Sequence, residues 1–525
     1  MAEGGGMSLF RNFVSVGSLT LMSRVAGFVR DALMAAVLGT GPAADAFFAA
    51  FRFPNLFRRL FAEGAFNTAF VPMFSGALEQ AGEAGAKLLA ARIMSWLVAM
   101  LVLVTVLAEI FMPQIMLAFV PGFVDDREKF DLTVLLTRIM FPYLACMSVM
   151  AAYGAILNTL GRFFAAAFAP VLLNLVTIAM LVPLAVFFVQ EPESATIWVA
   201  LATLAGGVAQ LVLVWAAIER AGFRPAFRLP RLDPEVRRFW ALAVPAILAG
   251  GITQINIFVG TIIASGADNA ISVLAYADRL YQLPLGIIGI AIGTVLLPEL
   301  SRHLKGGRER EAGASQEQAL FVAMLLTVPA AVALMTLAEP IVRVLFERGA
   351  FGALATTQTA QALIGFSAGL PAFVLIRVLQ PGFFAREDTL TPTLFAGISV
   401  VANIGLSLWL FPQLFHVGIA IATAASSWLN VLLLGATLAR RGHFALAWPQ
   451  WRAQLAILAI SLAMGAALFL LAGRGAAHLA ADAPLWRQAG TLAALVLFGL
   501  ALYFTLIHVS GTQRLGQLLR RLGRG

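Results

Sequence analysis

The chain has 525 residues, 60% of them hydrophobic and 12% charged, with a net charge of +9 and a mean hydropathy of +0.89. Soluble domains carry about 25% charged residues, so a single soluble core is excluded, and the length leaves room for about a dozen or more spans of roughly 20 apolar residues. The positive charge does not argue for nucleic acid, because the basic residues sit mostly in short loops between apolar segments.

Taken in chain order, the N-terminal MAEGGGMSLFRNF lacks an apolar region followed by a small-residue cleavage site. The first hydrophobic segment is therefore expected to stay in the mature protein, with Met1 or Met7 as its start. Apolar runs bounded by charged or Gly/Pro clusters then predict fourteen spans. They lie at about 12–39, 43–76, 88–113, 131–157, 164–189, 195–218, 238–264, 270–301, 317–339, 355–381, 390–411, 416–439, 453–473 and 486–508. The only cysteine, Cys146 in LACMSVM, rules out an internal disulfide and reads as a helix-packing residue.

Loop charge sets the orientation, since short basic loops stay in the cytoplasm. Arg220, Arg224, Arg228, Arg231, Arg237 and Arg238 follow span six, and Arg302, Lys305, Arg308 and Arg310 follow span eight. Arg440, Arg441 and Arg452 follow span twelve, and the tail carries Arg514, Arg520, Arg521 and Arg524. All fall on one side, which predicts that both termini are cytoplasmic. The alternate loops, VDDREKFD at 124–131 and QEPES at 190–194, are mixed or acidic and read as solvated outer loops.

A weak repeat links GPAADAFFAAF at Gly41 to GADNAISVLAY at Gly266, with FVPMFS and LLPELS closing the two helices at the same offset of about 225 residues. An even number of spans separates the copies, so they share orientation and imply an axis along the membrane normal. The predicted fold is an all-α, fourteen-helix membrane protein. It has an N-lobe at 10–219, a C-lobe at 236–441 and two C-terminal helices at 452–510.

Charges inside spans cost at least about 2.5 to 3.5 kcal/mol on insertion scales and commonly face a bundle interior or wet cavity. Here they are Arg24, Arg30 and Asp31 in span one; Asp45, Arg52, Arg58, Arg59 and Glu63 in span two; Arg138 in span four; Asp278 and Arg279 in span eight; and Arg377 in span ten. Span two would run about 50 Å as a straight helix, well over the hydrocarbon thickness, with Pro54 and Gly64 as places to bend. Arg59 and Glu63 stand at i, i+4 and read as an ion pair, as Asp278 and Arg279 do. Too few acids remain for Arg24, Arg30, Arg58 and Arg279, which suits a substrate anion. Guanidinium matches phosphate bidentately at any accessible pH, and a diphosphate would engage several donors on different helices while its hydrocarbon stays in lipid.

Weaker signals have plainer readings. Gly289 and Gly293, at GxxxG spacing, suggest close helix packing. Asp125, Asp126, Glu128 and Asp131 could hold Mg²⁺ but share their loop with Arg127 and Lys129. The five histidines lack metal-ligand spacing. Without a Gly-Lys phosphate loop, ATP is not expected to be the direct energy source. No cofactor, metal or catalytic residue is expected.

The segments SRVAGFVRDALMAAVLGTGPAADAFFAAFRFPNLFRRLFAEGAFNTAFVP, AYADRLYQLPLGIIGIAIGTVLLP and PGFFAREDTLTP resemble the lipid II flippases of the MurJ (MviN) family, in the exporter superfamily that includes the MATE type. The resemblance implies an inner-membrane transporter whose central cationic cavity alternates between cytoplasm and periplasm. Its cargo would be the undecaprenyl-diphosphate-linked disaccharide-pentapeptide used for peptidoglycan. It matches Arg24, Arg30, Arg58 and Arg279 to substrate arginines, with Asp31, Asp45, Glu63 and Asp278 as neighbouring acids. Arg52, Arg59 and Arg377 are expected to support or gate. The last two spans would take the lipid tail, and cell-wall synthesis proteins are a further expected contact. Where sodium-coupled relatives would carry acids on spans seven and eleven, this chain has Asn256 and Asn403, which argues against sodium coupling. The rival readings are an exporter of another polyprenyl-linked oligosaccharide or of a multidrug-type amphiphile, and a membrane glycosyltransferase using lipid II, for which no outer loop is long enough.

Overall fold

The computed structural model describes residues 3–58, 66–187, 192–224, 226, 228–444 and 446–511, and these are helical almost throughout, with no strand among them. In chain order the helices are α1 (Glu3–Leu38), α2 (Pro42–Arg58), α3 (Phe66–Phe119), α4 (Arg127–Met140), α5 (Tyr143–Thr159), α6 (Phe164–Phe187), α7 (Pro192–Arg220) and α8 (Pro234–Ser265). They continue with α9 (Ala270–Lys305), α10 (Glu309–Thr336), α11 (Ala338–Phe346), α12 (Ala353–Phe384), α13 (Leu390–Arg440), α14 (Trp448–Arg474), α15 (Ala476–Leu479) and α16 (Leu485–Val509).

Nine stretches of the described residues are long and apolar enough to cross a bilayer, two of them long enough to cross twice. Those two are broken where the sequence expects a boundary between spans: α3 at Gly82 (φ 65°, ψ −168°) and α13 at Phe415 (φ 48°, ψ −129°), three residues after Pro412. With the breaks counted, and α1, α2, α8 and α9 added, the helices follow the predicted order of fourteen spans. Two local expectations differ. Span four is divided at Phe141–Pro142, where the proline cannot donate to the preceding turn and α4 gives way to α5. Span two has its first part in α2 and its end in α3, and its predicted bend at Gly64 lies outside the described residues.

The chain divides into two compact units, one of residues 1–272 with 348–351, the other of 273–347 with 352–525. The first unit is built on Met34, Val37, Phe47, Leu136, Met140, Leu181 and Val199, contributed by α1, α2, α4, α6 and α7. Phe53 of α2 adds an aromatic cluster with Phe57, Phe119 and Phe141, at centroid separations of 5.2, 5.3 and 5.7 Å. The second unit has one core among α9, α10, α12 and α13, around Leu296, Val374, Val378 and Leu434. A second core seats α14 and α16 on α10 through Leu325, Ile457, Met464 and Tyr503.

Large apolar side chains also cover the outside, for instance Leu103, Val106 and Ile110 on α3 and Leu458, Leu462 and Phe469 on α14. Such a surface would aggregate in water but is solvated by acyl chains in a bilayer. Because lipid offers the backbone no hydrogen bonds, carbonyls near helix prolines find side-chain donors instead. Pro371 and Pro381 leave the carbonyls of Ser367 and Arg377 without a helical donor. At the neighbouring carbonyls, Trp428 Nε1 donates to Ala368 at 3.0 Å and Gln316 Nε2 to Val378 at 3.2 Å.

Main chain meets main chain at the end of the first unit where α1 stops. The Ala350 N–H donates to the Ala36 carbonyl at 2.8 Å. Gly39 (φ 61°) and Gly349 (φ 57°) face this contact from both sides, and a Cβ on them would lie 2.5 Å from the Ala350 oxygen and 2.2 Å from the Ala36 oxygen. Gly122 leaves equally little room elsewhere in this unit, a Cβ there meeting the Ser265 oxygen at 2.2 Å. Only glycine fits at such distances.

Candidate functional site

Asp45 lies in the first turn of α2 and has no solvent exposure, so its charge must be met within the protein. Its Oδ1 accepts the Ser272 N–H at 2.8 Å and the Ser272 hydroxyl at 2.7 Å, which caps the N-terminal end of α9 from another helix. Its Oδ2 accepts Lys129 Nζ at 3.0 Å. The Lys129 side chain is 3% exposed, with Nζ also 4.0 Å from the Phe123 ring centroid and 4.0 Å from Asp268 Oδ1. The sequence places Lys129 in a solvated outer loop, but the side chain is instead buried against Asp45. Asp126 caps α4 by accepting the Lys129 N–H at 3.0 Å, and Lys129, Thr133 and Thr137, one turn apart, form a buried polar stripe. Arg127 and Asp131 of the same loop are exposed, as expected.

The arginines of α1 and α2 are met differently. Arg30 donates through Nε and Nη2 to Asp31 Oδ1 at 3.1 and 2.8 Å, and through Nη1 to Asn174 Oδ1 at 2.9 Å. Asn174, buried on α6, turns its amide to the Ser23 carbonyl at 3.0 Å, so one side chain fixes both Arg30 and the α1 backbone two turns away. Asp31 lies seven residues from Arg24, on the same face of α1, yet it bonds to its neighbour Arg30, because a long guanidinium side chain curls back where helical periodicity counts only Cβ directions. Arg24 is half-buried and has no hydrogen-bond or ion-pair partner among the described residues. Arg52 reaches Thr261 Oγ1 of α8 at 3.3 Å, and Arg58, the last residue of α2, donates from Nε to Asn55 Oδ1 at 3.0 Å. Arg59 and Glu63 lie outside the described residues.

The second unit carries Asp278, Arg279 and Arg377. Asp278 accepts from Gln282, one turn along α9, while Arg279 is exposed. Arg377 of α12 lays its stem across Gly289, where an added Cβ would lie 3.0 Å from Arg377 Cδ. Gly289 thus makes room for an arginine, and Gly293 has nothing within 4 Å of the place a Cβ would take. The described residues hold no His, Cys, Asp or Glu group able to hold a metal ion. Beyond the predicted residues, the structure adds Lys129, Asn174 and Ser272. A lone asparagine in the apolar run VLLNLV is a sequence signal for Asn174, since a polar side chain inside a span seeks a partner on another helix.

Unit 1 thus holds one dry acid-centred cluster around Asp45 and a set of half-buried arginines on α1 and α2. Comparison with known proteins bears on what such an arrangement serves. A family model described as lipid II flippase MurJ matches residues 34–479. A probable lipid II flippase MurJ of Rhizobium tropici is 48% identical over 519 residues, 99% of this chain and 97% of that one. Among solved structures, one described as lipid II flippase MurJ in an inward closed conformation aligns with a TM-score of 0.79 at 26% identity, covering 94% of this chain and 98% of its own. An inward-facing multidrug resistance MATE family transporter of the MOP superfamily aligns with a TM-score of 0.65 at 15% identity, over 81% of this chain and 98% of its own, a likeness of fold alone.

Proposed function

This chain belongs to the lipid II flippase MurJ family, and on that premise we propose that Arg24, Arg30, Arg58 and Arg279 hold the diphosphate of lipid II as it crosses the bilayer. The protein is a lipid II flippase of the bacterial inner membrane, a transporter rather than a member of a catalytic class. The observation that carries the function is the family relation along nearly the whole chain. The feature that supports the arginine reading is the manner in which Arg30 is held. Asp31 and Asn174 fix a half-buried guanidinium within a span, and holding a cation there is costly unless it serves a ligand.

In this reading the diphosphate enters from the cytoplasm and engages guanidinium groups of both repeats, with Arg30 pre-oriented and Arg24 available for a bidentate contact. Binding offsets the mutual repulsion of the arginines and favours closure on the cytoplasmic side. That requires unequal affinity for the anion in the inward and outward states. Membrane potential assists the return of the empty cationic site, at about 2.3 kcal/mol for each charge moved through 100 mV. Both termini are cytoplasmic, two six-helix lobes at 10–219 and 236–441 carry the motion, and the helices at 452–510 accept the polyprenyl tail. Asp45, Arg52, Asp278 and Arg377 support the frame or gate it, as do Arg59 and Glu63. Cell-wall synthesis proteins are the further partners.

Two measurements test this. Labelled lipid II becomes accessible on the outer leaflet of vesicles containing the protein and not of vesicles lacking it. In a strain depleted of its own flippase, Arg30→Ala and Arg279→Ala reach normal membrane levels and do not restore growth. Full growth with either variant would sink the arginine site while leaving the flippase assignment standing.

A further inference from the structure

The segment joining α7 to α8 is tied down at its backbone, with Phe223 buried and most of its other described side chains exposed. The Arg228 N–H donates to Ser95 Oγ at 2.9 Å, and the Arg231 carbonyl accepts Trp96 Nε1 at 2.9 Å. Both partners belong to α3, which also supplies Arg92. That guanidinium takes up the two acids of the α8 end, Asp233 at 3.1 Å and Glu235 at 2.6 Å. The third acid nearby, Glu219, is paired with Arg224 at 3.1 Å. Arg220, Arg228, Arg231, Arg237 and Arg238 are exposed and have no acidic partner among the described residues.

Two leucines stand among these arginines, Leu229 at 83% and Leu232 at 56% exposure. Arg237 and Arg238 lie in the opening turns of α8, where the helix dipole disfavours positive charge. Topogenic charge alone accounts for the number of arginines, but insertion requires neither a pinned backbone nor exposed leucines between the charges. The segment also follows a bilayer-length helix directly, and Trp215, near the end of that helix, sits beneath Arg224 at 5.9 Å. Tryptophan at a span end marks the headgroup level.

We infer that this face docks on anionic phospholipid of the leaflet it borders, Arg228, Arg231 and Arg238 taking headgroup phosphates while Leu229 and Leu232 enter the acyl boundary. The chemistry is that of polybasic segments beside a span, whose attraction decays within a Debye length. Such docking would anchor α3 and α8 to the bilayer surface through the Ser95, Trp96 and Arg92 contacts. It is separate from the cargo site, since none of its residues is among the intramembrane arginines.

The test uses the full chain in neutral detergent, titrated with phosphatidylglycerol and, as control, phosphatidylcholine, with the unfolding midpoint as readout. Phosphatidylglycerol raises the midpoint by several degrees, phosphatidylcholine does not, and the rise shrinks with salt. Arg228→Gln/Arg231→Gln/Arg238→Gln removes more than half of the rise. The same charge removed elsewhere, by Arg302→Gln/Lys305→Gln/Arg310→Gln, keeps it, as does Arg228→Lys/Arg231→Lys/Arg238→Lys. A rise that survives the first triple variant, or is lost equally in both, overturns the proposal.

Discussion

At the corner between α1 and α2, Asp45 is fully enclosed and every bond it accepts comes from protein; further back along α1, Arg24 stays half-buried with no hydrogen-bond or ion-pair partner among the described residues. Both are charges inside a membrane protein, and composition treats them alike. What separates them is completeness. A carboxylate with Lys129, the Ser272 N–H and the Ser272 hydroxyl in place has nothing left to bind, so it serves the frame. An arginine with donors to spare remains able to bind an anion.

Removing one partner of a buried pair strands the other charge at a cost of about 3 to 5 kcal/mol. Asp45→Ala should therefore lower stability in detergent by that order, and Asp45→Leu/Lys129→Met should recover most of it. Arg24→Gln should stay within about 0.5 kcal/mol, as changes away from satisfied networks do, while abolishing outer-leaflet delivery of lipid II. Equal stability losses for Asp45→Ala and Arg24→Gln in denaturant titration would show that the two charges are held alike.

Asn174 sits on the border between the two regions, buried like Asp45 yet bonded to Arg30. Asn174→Leu leaves the Ser23 carbonyl and one Arg30 donor without their partner, costing about 1 to 3 kcal/mol. If Asn174 aims Arg30, apparent affinity for lipid II in the variant should weaken more than the maximal rate, and Asn174→Gln should restore part of it. A loss of stability with unchanged lipid II affinity would make Asn174 purely architectural.

The smallest effect tests whether completeness matters outside the membrane as well. Asp388, in the turn between α12 and α13, is hydrogen-bonded by Arg441 at 2.6 Å and by the Thr391 N–H and hydroxyl at 3.0 and 2.7 Å. Arg441 above all, then Thr391, holds its carboxyl down from 3.8 to about 2. The folded value lies below the unfolded one, so the stabilisation is fully present above pH 4 and is lost as pH falls through about 2. Asp388→Ala should cost about 1 kcal/mol at pH 7, the scale of a lost helix cap, the partly exposed arginine adding little. The difference from the unmodified chain should narrow steadily between pH 4 and pH 2; a constant gap across that range would remove Asp388 from the account.

Hydropathy and loop charge carry the order of the helices, because a span must be apolar over a fixed length and its ends must be punctuated. The break at Phe415 and the change from α4 to α5 follow Pro412 and Pro142, and they are legible where proline is read as a missing donor. Lys129 was hidden by its neighbours: VDDREKFD looks uniformly wet, and only the i, i+4, i+8 run of Lys129, Thr133 and Thr137 betrays a buried face. Asn174 carries no charge, so it does not stand out beside the intramembrane arginines and acids. The Arg30–Asp31 pair is adjacent in sequence but off the helical period, so the angular spacing of side chains does not bring it out. The Asp45–Ser272 bond joins residues 227 apart and belongs to tertiary structure alone.

The clasp between Ala36 and Ala350 is made wholly of main chain, with glycine on each flank. It carries no formal charge and no side chain that must change rotamer, so acid, salt and neighbouring substitutions have little purchase on it. It acts as a spacer, setting how near two segments come rather than how tightly they are held. A single methyl at Gly39 or Gly349 would lengthen that spacer and tilt the end of α1, which makes these two glycines levers for altering the geometry of the first helix without touching any of its arginines.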